Sequence, residues 1–373
     1  MIEKQTLGII FSNMHDDLLG ELTAHRTTGS VPFGGRYRFI DFTLSNMVNA
    51  GIDDVGVIAK TSYQSLLDHL SNGKEWDLSR RNGGLHILPP FSDSRSGMYR
   101  GRMEALSNIA GYIRHSKAEY VIMTDCNVIA NIDYAKIIDF HAKSDADITI
   151  AYKKMDVQVN LNGKTNLGFV IDGDKVVDIF RNVDAGKDVN VSLNIFVMKR
   201  QALLDMITSC EKRNLYSFRD DILLSKDREY KINGYEFKGY TALIETQQEY
   251  FNATMDLLNK DIRDDLFRKD RPIYTKVHDE MSVMYGLGSE GKNSLIADGC
   301  VIKGKVENCV IFRGVEIGEG AEVRNSILMQ GTKIPDNCTL DYVVTDKNVT
   351  LTEGRTLRGY ETYPIYIQKN KNV

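Results

Sequence analysis

From about Ser289 to the C-terminus, one pattern limits the fold more than any other in the chain. β-Branched aliphatics recur at multiples of three residues, at Ile296, Ile302, Ile311, Ile317 and Val323, with spacings of six, nine, six and six. Gly299, Gly304, Gly314, Gly318 and Gly320 fall between them. A flat coil of a parallel β-helix needs a few inward aliphatics per turn, with glycine, Asn or Asp at the corners. A β-sandwich of short strands is the competing reading. The repeat predicts a left-handed parallel β-helix of hexapeptide repeats over 289–373.

The first 150 residues follow a different rule. Short uninterrupted apolar runs, Leu7–Phe11, Val55–Ala59, Tyr120–Met123 and Asp147–Tyr152, read as buried strands. Between them, Asp41–Ala50 and the stretch through Tyr63, Leu66, Leu67 and Leu70 space their apolar residues as helices do. Strands without alternation, separated by helices, indicate a parallel sheet covered on both faces, a doubly wound α/β domain of the Rossmann type. Ligands of such domains sit beyond the carboxyl ends of the strands, so the residues just after Phe11 and Met123 matter most. The predicted organisation is an α/β domain over 1–260, a helix and connector over 261–288, and the β-helix over 289–373.

At 373 residues with 42% hydrophobic and 26% charged composition, the chain can bury cores for two or three domains. Its 47 Lys and Arg against 51 Asp and Glu give a net charge of −4, which argues against a nucleic-acid partner. No apolar run approaches the ~18 residues a membrane span needs, so no membrane partner is expected. Met1–Thr6 lacks the basic start and apolar core of a signal peptide. The five scattered cysteines include no Cys-x-x-Cys pair, and buried reduced thiols in a cytoplasmic protein are expected.

Hexapeptide β-helices often belong to acyltransferases that use a histidine base beside the coils. None of the seven histidines, His15, His25, His69, His86, His115, His141 and His278, lies inside this repeat. The β-helix is therefore expected to be structural or oligomerising.

Several long motifs carry a resemblance. Val31-Pro32-Phe33-Gly34-Gly35-Arg36-Tyr37-Arg38, followed by Ile40-Asp41-Phe42-x-Leu44-Ser45-Asn46, resembles the bacterial ADP-glucose pyrophosphorylase family. So do Trp76-Asp77-Leu78-x-Arg80-Arg81-x-Gly83-Gly84, Leu88-Pro89-Pro90, Pro272–Val277 and Asn293–Cys300, and the similarity runs from about Leu7 to Gly359. The resemblance implies a nucleotidyltransferase-like α/β domain followed by the β-helix. It also implies chemistry that joins glucose 1-phosphate to ATP with Mg²⁺ and releases pyrophosphate. That chemistry needs a glycine-rich turn with an arginine around the triphosphate, carboxylates on the metal, and lysines on the sugar phosphate.

At each of these places the sequence departs from the family pattern. The family's Gly-Gly-x-Gly-x-Arg-Leu aligns with Asn13–Leu19, so every glycine is gone, Leu18 replaces the arginine, and Asp16 and Asp17 add negative charge to what reads as a solvated loop. Thr28 replaces a phosphate-binding lysine. Gly101-Arg102-Met103-Glu104-Ala105 is bulky where the family has small residues against the nucleotide, and Arg102 is a candidate to bind some other anion. Asn127 aligns with one metal aspartate, although a small register shift would put Asp125 there. Leu243 aligns with the second, and Glu245 would displace an ion by ~6–7 Å. Asn182 replaces the sugar-phosphate lysine, and Arg181, one residue off, points to the opposite strand face.

The resemblance thus implies a non-catalytic, regulatory type of subunit, with no catalytic residues, no metal and no cofactor of its own. Arg102, Glu104, Asp125, Arg181 and Glu245 are the side chains left to contact a ligand. The implied partner is a catalytic paralogue in a hetero-oligomer, a tetramer, with a homo-oligomer as the state alone. The competing readings are a slow adenylyltransferase using Asp125, Glu245 and Arg102, a sensor that binds sugar phosphate or nucleotide without turnover, and a hexapeptide acyltransferase.

Overall fold

The computed structural model describes residues 5–14, 16–89, 99–157, 167–181, 186–225 and 230–373; Asn182, His15 and Pro90 lie outside the described residues. Thr6–Phe11 (β1) is buried along its whole length. Its Leu7, Ile9 and Phe11 enter one core and Ile10 the other, which is why the strand shows no polar alternation. Gly8 lets the helix Phe39–Asn49 (α1) lie close, since a Cβ there would stand 2.6 Å from Met47 Sδ. α1 starts where the buried Asp41 carboxylate accepts the Arg38 N–H at 2.9 Å, with His69 Nε2 2.6 Å from its other oxygen. A carboxylate in the first helical turn also complements the helix dipole.

The sheet is completed by Asp54–Ile58 (β2), Gly84–Leu88 (β3), Tyr120–Asp125 (β4), Ile148–Val157 (β5), Gly168–Asp172 (β6), Lys175–Phe180 (β7), Gly186–Lys199 (β8) and Ile232–Glu236 (β9). Edge to edge its order is β3-β2-β1-β4-β8-β5-β9-β7-β6. The half containing β1 to β4 is parallel, as the apolar runs predict. Beyond β4 the sheet is mixed, through strands that lie outside the first 150 residues on which the parallel reading rests. There the 14-residue β8 inserts antiparallel between β4 and β5. Among the described residues no helix lies between β5 and β8 to serve as a crossover, so the return direction of β8 is set by pairing rather than by a βαβ connection.

Three parallel ladders then wind into a β-helix. It opens with Met284–Tyr285 (β10), Glu290–Lys292 (β11) and Leu295–Ile296 (β12), each the first strand of one ladder. Ile302, Ile311, Ile317 and Val323 are all buried in its interior, as their spacing predicts. Asn293, Asn308 and Asn325 turn one corner at φ of 41°, 52° and 46°. Asn tolerates this left-handed region, and here its side chains also bond up the stack: Asn293 Nδ2 donates to Asn308 Oδ1 at 2.8 Å, and Asn325 Nδ2 to Asp341 Oδ1 at 2.9 Å.

The outward residues of the β12 ladder are not solvated. Val310, Ile327 and Val344, with Phe312 and Met329, join Phe39, Tyr250 and Phe251 in one core shared with the α/β domain. A buried ion pair crosses the same junction, with Arg26 Nη2 at 2.8 and 2.9 Å from the two Asp346 oxygens. Beside it, burial together with the nearby Arg38 and Arg26 guanidiniums pushes Lys347 down to about 7 from its ordinary 10.5.

Because Lys347 is lowered in the folded state, the unfolded chain binds more protons above about pH 7, so stability rises with pH until the free lysine itself titrates. Urea unfolding of the wild type is expected to show that rise between about pH 7 and about pH 9. Lys347→Met should remove it and stabilise the protein most at the acidic end. An unchanged slope in the variant would locate the pH dependence elsewhere.

Candidate functional site

The parallel half of the sheet brings the ends of β1 and β4 together, and Asp125, the last residue of β4, stands beside Phe11, the last of β1. Across from them Gly101 precedes the short helix Arg102–Asn108 (α2). A Cβ at Gly101 would collide with the Tyr216 carbonyl oxygen, so glycine lets the two segments touch. Met103 N–H then donates to that oxygen at 3.0 Å and aims Arg102 into the cleft.

Arg102 meets Asp125 there. Its Nη2 lies 2.7 and 2.8 Å from the Asp125 oxygens, and its guanidinium sits 4.7, 5.3 and 5.9 Å from the ring centres of Phe11, Phe196 and Phe218. Asp125 is 1% exposed. The Arg102 charge is matched by this carboxylate, in an aromatic enclosure where cation–π attraction adds to the ion pair, and both residues line the same cavity.

The loop after β1 is tied back by hydrogen bonds while Asp17 and Leu18 stay exposed. Asp16 Oδ1 accepts from the Thr28 N–H and hydroxyl, both at 2.7 Å, and Asp16 Oδ2 accepts from Asn13 Nδ2 at 2.5 Å. The carboxylate thus occupies the donors that the start of a short helical turn at Thr28–Ser30 would offer an anion. Burial raises the Asp16 pKa despite these hydrogen bonds. Leu18 is 37% exposed, on the surface of this loop.

Asn127 and Leu243 do come together. The two-residue strand Ala242–Leu243 pairs antiparallel with Val128–Ile129, and Ile244 N–H donates to the Asn127 carbonyl at 2.9 Å. Residues aligned to two metal aspartates by counting alone are therefore neighbours in space. Their side chains do not fit Mg²⁺, which requires hard oxygen ligands, usually carboxylates. Leu243 packs against Val191, and Asn127 is fully buried with neither Oδ1 nor Nδ2 hydrogen-bonded. No group of three or more His, Cys, Asp or Glu is placed to hold a metal ion among the described residues.

The other candidates are dispersed. Glu104 accepts the Arg100 N–H at 2.5 Å, and Arg181 pairs with Asp220 at 2.5 Å at the surface. Glu245 is 1% exposed. Sequence reasoning missed Asn194, which lines a cavity of about 260 Å³ together with Arg102, Phe196, Tyr216 and Arg219. Asn194 is 6% exposed at φ 53°, and its Nδ2 has no hydrogen-bond partner. An Asn inside an apolar strand was the available signal.

Removing one partner of the Arg102–Asp125 pair leaves a buried charge, a loss of ~3–5 kcal/mol. Arg102→Met and Asp125→Leu are each expected to lower the urea midpoint sharply, while the double variant recovers most of the loss. Additive losses in the double variant would contradict a direct pair.

Comparisons with known proteins agree with this architecture. A nucleotidyl transferase family model matches residues 17–175, and a GlmU-like C-terminal hexapeptide model matches 283–361. The glycogen biosynthesis protein GlgD of Bacillus subtilis (strain 168) is 33% identical over 99% of this chain and 97% of its own length. A glucose-1-phosphate adenylyltransferase of Clostridium perfringens (strain SM101 / Type A) is 31% identical, covering 90% of this chain and 87% of its own. One from Bacillus mycoides (strain KBAB4) is 30% identical over 96% of each. With a nucleotidyltransferase domain leading into a left-handed hexapeptide β-helix, the chain belongs to the glucose-1-phosphate adenylyltransferase (ADP-glucose pyrophosphorylase) family that includes GlgD.

Proposed function

We propose that this chain is a catalytically impaired, regulatory subunit that assembles with a catalytic paralogue and raises its synthesis of ADP-glucose for glycogen. In this reading residues 1–260 keep the nucleotidyltransferase scaffold, 261–288 connect, and 289–373 supply assembly surface. The observation that carries the proposal is the cleft's internal neutralisation. Arg102 is held by Asp125, the Thr28 donors by Asp16, and the two metal positions are an amide and a leucine.

Adenylyl transfer needs a cation and backbone donors on the triphosphate and a metal to offset developing charge. Losing several such contacts at ~2–3 kcal/mol each slows turnover by many decades, even though the losses do not add cleanly. The scaffold, by contrast, needs only its core, and that core is intact. A binding-only sensor is favoured by one feature, the unpartnered Asn194 Nδ2 facing the cavity. Saturable binding of glucose 1-phosphate without turnover, lost in Asn194→Leu, would favour it.

The purified chain alone is expected to make no ADP-glucose above background, and a mixture with a catalytic paralogue is expected to exceed the paralogue's own rate. Robust Mg²⁺-dependent pyrophosphate release from the chain alone would sink the proposal. A second prediction uses the adjacency of residues 127 and 243. Asn127→Asp with Leu243→Asp should create measurable Mg²⁺ binding in a calorimetric titration before it restores any catalysis. If the double variant binds no metal, those positions do not correspond to the family's aspartates.

A further inference from the structure

The ion pair at the cleft leaves hydrogen-bond donors without acceptors. Arg102 gives Asp125 only its Nη2, and its Nε and Nη1 make no hydrogen bond among the described residues. Asn194 Nδ2 has no partner among them either. Ser217 Oγ accepts the Asp220 N–H at 3.0 Å, which keeps its own proton free to donate. All three residues line one cavity of about 260 Å³. Buried donors of this kind ordinarily find an acceptor.

The backbone around this cavity is irregular on two sides. β8 shifts register between Ser192 and Ile195, and the bulge holds Asn194 at φ 53°. A second wall, Phe218–Leu223, is a single π-helical turn. Bulges re-aim side chains, and both features recur beside functional sites.

Acceptors, by contrast, are already taken. Both Asp125 oxygens face Arg102, and Asp220 Oδ1 accepts from Arg181 and Arg219. Phe196, Phe218 and Leu223 make much of the remaining wall apolar. A sugar ring placed there would bury hydroxyl donors without acceptors, which is costly. Arg100, Arg102 and Arg219 against Asp125 and Asp220 leave the lining with one positive charge in excess. An ionised carboxylate meets these conditions, since it only accepts hydrogen bonds and carries one negative charge. The volume is small for a ligand site and limits the rest of the molecule to about one ring.

We infer that the cavity binds a small monocarboxylate with an apolar body. The carboxylate meets the free donors of Arg102 and Asn194, and the body packs on Phe196, Phe218 and Leu223. Such binding goes beyond the regulatory role proposed above and does not rest on it.

The test uses the full-length protein and para-fluorobenzoate, observed by fluorine NMR, with para-fluorobenzamide as its uncharged counterpart. The benzoate should bind saturably and at least about tenfold more tightly than the amide, because its charge meets the guanidinium excess. Excess glucose 1-phosphate should not displace it. Asn194→Gly, which adopts the same left-handed backbone without strain, should weaken it by about tenfold. Two substitutions at the partly exposed edge of the cavity separate charge recognition from structure. Arg219→Gln should weaken the benzoate severalfold and Asp220→Asn should tighten it, with the amide unmoved by either. Thermal melting confirms that each variant is folded. Absence of saturable binding, equal affinity for benzoate and amide, displacement by glucose 1-phosphate, or folded charge variants that shift affinity in the same direction would each overturn the assignment.

Discussion

A guanidinium and a carboxylate meet where the two central parallel strands end, and the state of the cleft follows from that meeting. In a doubly wound sheet this is where ligands gather, because strand ends and helix starts leave backbone groups open and charges concentrated. Here the charges answer each other. Arg102 is buried among Phe11, Phe196 and Phe218 with Asp125, itself 1% exposed, as its counterion. Asp16 repeats the arrangement on the other side of β1 by filling the Thr28 donors. A substrate phosphate would have to displace both.

The β-helix is tied to this domain by more than a linker. Its one docked face shares a core with α1 and with the Gln247–Asp256 helix, and the Arg26–Asp346 pair is buried in the seam. The Arg26–Asp346 pair thus ties the coils to the segment that leads into Thr28, whose N–H and hydroxyl bond Asp16.

Much of the architecture was legible in the residues. The six-residue period over 296–323 specified coils because an inward aliphatic must recur on each face for the turns to stack, and Leu7–Phe11 specified a strand buried on both faces. The antiparallel β8 was not legible, since strand direction depends on long-range pairing that apolar runs do not encode. The shared core was missed for a related reason: Val310, Ile327 and Val344 look like outward residues of a repeat until the neighbouring domain is in place. At the site, counting aligned Asn127 and Leu243 with the family's two aspartates while leaving Asp125 open for the first, and the structure sets residues 127 and 243 beside one two-stranded ladder. Counting could not reveal that Arg102 already has its carboxylate, because that partnership joins residues 23 apart across the cleft.

As proposed above, the cleft, closed by its own ion pair and hydrogen bonds, does not carry out adenylyl transfer. The most sensitive direct test is the reverse exchange: Mg²⁺-dependent incorporation of labelled pyrophosphate into ATP from ADP-glucose, by chain purified from a host lacking any paralogue. Label at the level of a protein-free control is predicted across the whole range of Mg²⁺. Exchange that rises with protein concentration, saturates with ADP-glucose and disappears in Asp125→Asn would contradict it.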